Sequence, residues 1–295
     1  MSPAEGRPIR RVAVVAKIGP PEGARITAEL ADWLSERGIE VVFDSDTARA
    51  IDRSEYETRN RVPADVDLAI VAGGDGTLLS VARSATPHEI PILGVNFGSL
   101  GFLTELQPDE LFDGLEELLA GNYSIEERQT LRVQFLRDGQ EPREYAVLND
   151  AVITKSALAR MVTISVRVDG AHVTTYTSDG LIVASPTGST AYSLSAGGPI
   201  LDPRMRAFVI APICPHSMSY RPLVVPGGVS IEVTIHDDDQ EDDEVYLTLD
   251  GQIGYPFSSA DRLVVDTHPH PLRLVRVNGL SFFEVLRRKL RWGER

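Results

Sequence analysis

A glycine turn between an apolar run and a helix-like segment constrains the fold of this chain most. Residues 68–72 read as a strand, residues 73–77 have the sequence GGDGT, and residues 78–83 read as the start of a helix. A strand that enters a helix through glycines leaves backbone N–H groups free to face an anion, and the helix dipole adds partial positive charge. The sequence therefore predicts an α/β unit with a phosphate-binding turn.

Asp75 is the informative residue of this turn. No Gly-Lys-Ser/Thr follows to make a Walker loop, and Leu79 occupies the place of the third glycine of a dinucleotide fingerprint. A carboxylate inside a phosphate cradle repels the ligand unless it holds a metal or accepts a proton from a hydroxyl. The alternative is that Asp75 only caps the helix, and the turn alone leaves both interpretations open.

Length and charge narrow the class of protein. A chain of 295 residues predicts two domains or one large one, and a net charge of −14 argues against a nucleic-acid partner. Seven acidic side chains between residues 237 and 244 contribute half of that charge, and we expect them to form a solvated loop. One cysteine, no signal-like apolar core and no run of 18 apolar residues favour a cytoplasmic protein without a membrane partner.

The order of the patterns predicts two architectures. Strand-like and helix-like segments alternate up to about residue 120, which predicts a Rossmann-like parallel sheet with ligands beyond the carboxyl ends of its strands. From about residue 131 short strands and turns predict an all-β, sandwich-like domain. The amphipathic segment 281–292 predicts a helix that returns to the α/β domain. We therefore expect an α/β domain of residues 1–126 and 279–295 and a β-rich domain of residues 127–278.

A second polar cluster spans residues 177–199. An apolar strand at 181–184 joins two polar turns, so that Asp179 and a set of hydroxyls lie at its two ends. Gly188 and Ala191 are small enough for a planar ring to lie against the backbone. A turn with a Ser/Thr helix cap would explain residues 187–190 but not the whole run, and Asn149-Asp150 alone is only a turn signal.

Taken together, these motifs resemble the bacterial NAD kinase family. They are GGDGT at 73–77, LND at 148–150, SDG at 178–180 and PTGSTAYS at 186–193. The resemblance covers nearly the whole chain, and the segment at 186–193 is far more specific than the turn, which diacylglycerol kinases, sphingosine kinases and phosphofructokinases share.

The resemblance implies an α/β nucleotide-binding domain joined to a β-rich NAD-binding domain. It implies a kinase that uses ATP or polyphosphate to phosphorylate the 2′-hydroxyl of the adenosine ribose of NAD. Mg²⁺ would be held through the donor phosphates, with no metal ligand assigned in the protein. A homodimer or homotetramer is the expected assembly.

The resemblance also implies roles for residues. Asp75 would be the general base, because a ribose hydroxyl is a poor nucleophile at neutral pH. The phosphate turn would comprise Gly73, Gly74, Gly76 and Thr77. The residues implied in NAD binding are Gly74, Gly76, Phe102 by the adenine, Asn149 and Asp150 at the ribose hydroxyls and the adenine side, Asp179 at the nicotinamide end, Thr187, Thr190, Ala191 and Tyr192 around the dinucleotide, and Asp250 near the site. Many members carry Asn-Glu where this chain has Asn149-Asp150, a carboxylate shorter by one methylene.

Two alternatives remain at this point. A lipid kinase also has the GGDGT turn, but that family follows it with Gly-Thr-Gly-Asn-Asp, whereas residues 94–102 here read GVNFGSLGF and the chain lacks a basic surface. A non-catalytic NAD(P) sensor that kept the fold is disfavoured because Asp75 is present.

Overall fold

The computed structural model describes residues 8–17, 21–53, 57–58, 62–98, 101–156, 161–236, 245–277 and 280–292. The chain divides into two compact units, Met1–Glu127 with Leu272–Arg295, and Arg128–Pro271. The elements up to the end of the first segment are β1 (Arg11–Ala16), α1 (Pro21–Glu36), β2 (Glu40–Asp44), α2 (Ser45–Ala50), β3 (Glu57–Thr58), β4 (Leu68–Ala72), α3 (Asp75–Ala85), β5 (Ile92–Val95), α4 (Leu111–Leu119) and β6 (Ser124–Arg128). Those that follow are β7 (Leu131–Arg137), β8 (Arg143–Val147), β9 (Asp150–Lys155), β10 (Val162–Val168), β11 (Ala171–Ser178), β12 (Gly180–Ala184), α5 (Tyr192–Ser195), β13 (Ala207–Ile213), β14 (Leu223–Pro226), β15 (Ile231–His236), β16 (Val245–Leu249), β17 (Ile253–Pro256), β18 (Asp261–Thr267), β19 (Leu272–Arg276) and α6 (Phe282–Leu290).

The first unit contains a seven-stranded sheet in the order β3-β2-β1-β4-β5-β19-β6. The pairs from β3 to β19 are parallel. β4 and β5 are buried along their whole length, which explains their continuous apolar sequence, because helices cover both faces of such a sheet. The prediction of a Rossmann-like parallel sheet is confirmed.

The carboxyl ends of three neighbouring strands meet at one edge of this sheet. Lys17, which follows β1, donates its backbone N–H to Ala72 O at 2.8 Å, and Gly73, which follows β4, donates to Val95 O at 2.8 Å. Lys17, Gly73 and the end of β5 therefore lie side by side. The glycine turn opens at this edge.

One strand lies in a different unit from the one that the sequence predicts. The sequence assigned residues 272–278 to the β-rich domain, but β19 pairs with β5, with Leu274 opposite Ile92. Four of its five residues are buried, including Arg273, as in a strand covered on both faces.

Helix α6 returns to the first unit, as expected. Ser281 caps it by accepting from Glu284 N, and the Glu284 carboxylate accepts from Ser281 N, which is a capping box. The Phe282 ring lies 6.3 Å from the Phe102 ring, between centroids, and Leu286 is buried. No helix among the described residues is long and apolar enough to cross a membrane.

The second unit contains two six-stranded antiparallel sheets, which confirms the sandwich-like prediction. Their orders are β11-β10-β15-β18-β7-β8 and β14-β13-β12-β9-β16-β17. Alternate residues of both sheets, such as Ile164 and Val166 in one and Ile153 and Leu181 in the other, form one shared core. The acidic segment 237–244 between β15 and β16 lies outside the described residues.

Candidate active site

The glycine turn at 73–77 leads from β4 directly into α3. The helix begins at Asp75, three residues earlier than the apolar pattern suggested, with Gly74 as its N-cap in an extended conformation. A Cβ at Gly73 would lie 2.6 Å from Thr77 Oγ1 and 3.1 Å from the Lys17 Cβ, so that only glycine fits this approach of the strand end to the helix. The first turn of α3 thus lies close to Lys17, the residue that follows β1.

The Asp75 carboxylate binds a neighbouring loop and does not cap its own helix. Its Oδ2 accepts from Phe102 N at 2.9 Å and its Oδ1 from Leu103 N at 3.1 Å. Gly74, not Asp75, is the N-cap of α3, and both Asp75 oxygens accept from amides outside that helix. The alternative that Asp75 only caps the helix is therefore wrong. A carboxylate can accept about four hydrogen bonds, and these two amides therefore leave acceptor positions for a ligand.

Gly101 allows this contact, and sequence reasoning did not single it out. A Cβ on Gly101 would lie 2.1 Å from Asp75 Oδ1 and 2.7 Å from Thr104 Oγ1. No side chain can therefore replace the hydrogen atom there without moving the carboxylate.

A cavity of about 510 Å³ opens beside the turn. The residues that line it are Lys17, Gly23, Ile26, Gly73, Gly74, Asp75, Asn96, Phe97, Gly98, Gly101, Pro108 and Lys289. A second cavity of about 450 Å³ lies near the amino ends of the strands, beside Ile9, Asp67 and Pro91, away from the turn. The first cavity is the candidate site, because ligands of parallel sheets bind at the carboxyl ends of the strands.

Phe102 is half-buried against the C-terminal helix. Besides its contact with Phe282, the Lys289 ammonium lies 5.5 Å from the centre of its ring. Its implied place beside the adenine stays a prediction.

In the second unit, Asp250 holds the turn that carries Asn149 and Asp150. Its carboxylate accepts from the backbone N–H groups of Leu148 at 3.1 Å, Asn149 at 2.7 Å and Asp150 at 3.4 Å. Asp250 adopts a left-handed conformation with φ of 51°, and Gly251 follows with φ of 63°. The Asp250 side chain thus positions the neighbouring strand through its backbone.

The Asp150 side chain is buried beside a second carboxylate. It is 4% exposed, and it lies at the start of β9 opposite Ala184. Burial, with a smaller contribution from the negative charge of Asp250, raises the pKa of Asp150 to about 7. Its carboxyl group therefore changes charge near neutral pH.

The segment after β12 packs directly on this turn. Ser185 N donates to Asn149 O at 2.8 Å, and Ser185 Oγ donates to Leu148 O and accepts from Gly188 N at 3.1 Å. A Cβ on Gly188 would lie 2.1 Å from Asn149 O. Gly188 is therefore needed for the close contact with this backbone, and its suggested place beside a ligand ring stays a prediction. The structure brings the motifs at 148–150 and 186–193 together.

Thr187 presents a buried hydroxyl within this segment. It is 6% exposed, and its Oγ1 has no hydrogen-bond partner in the part of the chain that the structure describes. Thr190 Oγ1 donates to Thr187 O at 3.1 Å, and Tyr192 is 46% exposed. The suggested Ser/Thr cap is wrong, because Ala191 is the N-cap of α5 and makes no side-chain bond.

Asp179 lies at the opposite end of β12 from Thr187. Lys155 Nζ lies 3.6 Å from Asp179 Oδ1. The six residue steps from Asp179 to Ser185 span about 20 Å of extended strand. No single small group can contact both ends, whereas an extended dinucleotide is long enough to follow the strand.

Comparison with known proteins identifies the family. The chain matches the family models for the ATP-NAD kinase N-terminal domain over residues 12–123 and for the ATP-NAD kinase C-terminal domain over residues 148–277. The chain belongs to the NAD kinase family. The NAD kinase of Geotalea daltonii is 44% identical over 287 residues, which are 97% of this chain and 100% of that protein. That of Koribacter versatilis is 45% identical over 288 residues, with the same shares of the two chains.

Two solved structures, of an NADH kinase and of an NAD kinase, share the fold. Yeast NADH kinase complexed with NADH has a TM-score of 0.87 and 26% identity, covering 98% of this chain and 89% of that one. An NAD kinase from Archaeoglobus fulgidus in complex with ATP has a TM-score of 0.73 and 25% identity, covering 95% and 98%. The chain is thus an enzyme that phosphorylates NAD to NADP, and the lipid kinase and the non-catalytic sensor are not supported.

Proposed function

We propose that the enzyme transfers a phosphoryl group from ATP to the 2′-hydroxyl of the adenosine ribose of NAD, with Asp75 as the general base. The observation that carries this proposal is the carboxylate of Asp75 on the wall of a cavity beside a phosphate-type glycine turn. The Archaeoglobus fulgidus relative was solved with ATP, which supports ATP as the donor. Polyphosphate is the second candidate donor, because it offers the same terminal phosphate chemistry.

The proposed role of Asp75 follows from the chemistry of the acceptor. A positioned base that takes the hydroxyl proton supplies about 10²- to 10⁴-fold in rate. The backbone amides of Phe102 and Leu103 fix the orientation of the Asp75 carboxylate. Its remaining acceptor positions would therefore have one fixed direction when the hydroxyl binds. The turn and the first turn of α3 would bind the donor phosphates. The residues involved would be Gly73, Gly74, Gly76 and Thr77.

We propose that the second unit binds NAD. Asn149 and Asp150 would bind ribose hydroxyls, and Asp250 would keep their backbone in place. The unsatisfied Thr187 hydroxyl would donate to the dinucleotide, and Asp179 would lie at its nicotinamide end. Further contacts are assigned to Gly74, Gly76, Phe102, Thr190, Ala191 and Tyr192.

Mg²⁺ fits the donor set of the cavity. No group of three or more His, Cys, Asp or Glu side chains that could hold a metal occurs within the described ranges. Mg²⁺ is commonly bound through substrate phosphates, and we propose that the donor phosphates hold it here, so that Asp75 in the cavity lining acts as the base. When bound, the ion would offset the charge of the donor phosphates.

We also propose that the enzyme is cytoplasmic and forms a homodimer or a homotetramer.

The purified protein incubated with NAD, Mg²⁺ and ATP tests this function. NADP is measured with an NADP-specific dehydrogenase, and we expect steady formation that requires all three components. Replacing ATP by polyphosphate identifies the donor. Absence of NADP with both donors contradicts the proposed reaction, and phosphorylation of the 3′-hydroxyl, seen as a product that the dehydrogenase rejects, contradicts the proposed position.

A further inference from the structure

Two lysines from distant parts of the chain line the cavity beside the glycine turn. Lys17 follows β1, and Lys289 lies in the last turn of α6. Both side chains are exposed, and within the described ranges neither ammonium has a carboxylate within 4 Å. The other lysine of the described chain, Lys155, does have one in Asp179.

Among the residues that line the cavity, two positive charges therefore face one negative charge, that of Asp75. Asp75 is the acidic side chain in its lining, and both oxygens of that carboxylate already accept backbone N–H groups. Cations that converge on a concave, partly enclosed surface attract anions more strongly than the same charges spread over a convex one. Lys17 also lies directly against the turn, since a Cβ at Gly73 would be 3.1 Å from the Lys17 Cβ.

We propose that Lys17 and Lys289 bind the phosphate chain of the phosphoryl donor. This inference rests on the proposed function, which places the donor at the glycine turn and NAD in the second unit. Two flexible ammonium groups in the lining of one cavity suit a chain of phosphates, because each can follow a different phosphate. The ligand class is a linear polyphosphate, free or as part of a nucleoside triphosphate.

A purely structural role for Lys289 makes a different prediction. Its ammonium lies 5.5 Å from the Phe102 ring, which is a weak and exposed cation–π contact. If that contact were its whole purpose, removing the charge would lower the melting temperature and leave the affinity for the donor unchanged. Lys17 has no such aromatic neighbour among the residues that the structure describes, so its substitution tests the phosphate role alone.

The variants Lys17→Gln, Lys289→Gln and the double variant test the proposal, with Lys289→Arg as the charge-preserving variant. Arg288→Gln is the matched control, because it removes one exposed positive charge from the same helix outside the cavity. The measurements are the melting temperature, KM for ATP, KM for NAD, and binding of inorganic tripolyphosphate to the free protein by calorimetry.

We expect each Gln variant to raise KM for ATP and Kd for tripolyphosphate by about tenfold, since one charge-assisted contact is lost. KM for NAD should stay within about twofold, Lys289→Arg should restore most of the affinity, and raised salt should shrink the difference. An effect on ATP but none on tripolyphosphate would mean that the lysines contact the nucleoside, which overturns the proposal.

Two further results would overturn it. One is an equal rise in KM for NAD, which would assign the lysines to the dinucleotide, and the other is an effect of Arg288→Gln as large as that of Lys289→Gln. A third combination of results would separate the two proposals. If the wild type made no NADP but bound tripolyphosphate, and the variants lost that binding, the proposed reaction would be wrong and the proposed phosphate site right.

Discussion

Replacing Asp150 by asparagine should stabilise the second unit above neutral pH while weakening NAD binding. The Asp150 carboxyl is 4% exposed, and burial raises its pKa from 3.8 to about 7. In the unfolded chain the pKa returns to its ordinary value. Between about pH 4 and pH 7 the Asp150 carboxyl is therefore protonated in the folded protein and ionised in the unfolded chain.

The sign and size of the effect follow from this difference. Stability falls as pH rises through that interval, because the folded state must bury a charge that the unfolded state carries in water. About three pKa units at about 1.36 kcal/mol each give a penalty of about 4 kcal/mol above pH 7. Asparagine cannot ionise, so the Asp150→Asn variant avoids the penalty.

Urea unfolding of the NAD-free proteins between pH 4 and pH 8.5 measures the effect. We expect the variant and the wild type to be similar near pH 4 and the variant to be more stable at pH 8, with Asp138→Asn, an exposed residue of the same unit, as the control. KM for NAD should rise by about one to two decades, because a charge-assisted acceptor is lost. Equal pH slopes for the variant and the wild type would refute the reasoning. A large fall in kcat at unchanged KM would instead make Asp150 a catalytic residue.

Two further predictions concern packing inside each unit, and a third concerns the charge of Asp150. Gly188→Ala should lower the melting temperature and raise KM for NAD, because its Cβ would lie 2.1 Å from Asn149 O; unchanged values for both would show that the two segments can separate without cost. Phe282→Ala should destabilise the first unit by about 1.5 kcal/mol through lost burial on Phe102, and an unchanged melting temperature would argue that the helix is not held there. KM of the wild type for NAD should rise as pH falls below about 7, where Asp150 gains its proton, and a flat profile would show that its charge is not used.

The fold could be predicted because its signals are local. Continuous apolar runs mark β4 and β5, and the Asp169-Gly170 pair marks a hairpin whose two residues have φ of 49° and 77°. β19 escaped prediction because its partner, β5, lies about 180 residues away in the chain. No local pattern carries that pairing.

The motifs of the site could be predicted as well, but not the contacts that hold them. The glycine turn singled out Asp75, and the family resemblance implied roles for Asp150 and Thr187. The contacts of the Asp75 and Asp250 carboxylates with distant amides depend on tertiary structure. Lys289 gives no local signal at all, because only the return of α6 brings it to the cavity. Lys17 could have been found, since it follows the first strand of a parallel sheet.

The role of Asp75 as general base is tested most directly by the kcat of Asp75→Asn for NADP formation, at saturating NAD and donor across a Mg²⁺ series. Because asparagine also replaces one acceptor of the Phe102 and Leu103 amides, Phe282→Ala serves as the reference for a loosened loop with an intact carboxylate. We predict that kcat of Asp75→Asn falls by about 10²- to 10⁴-fold at every Mg²⁺ concentration, with NAD still bound. A fall of less than about tenfold, a fall no larger than that of Phe282→Ala, or recovery at high Mg²⁺ would contradict the assignment of Asp75 as the base.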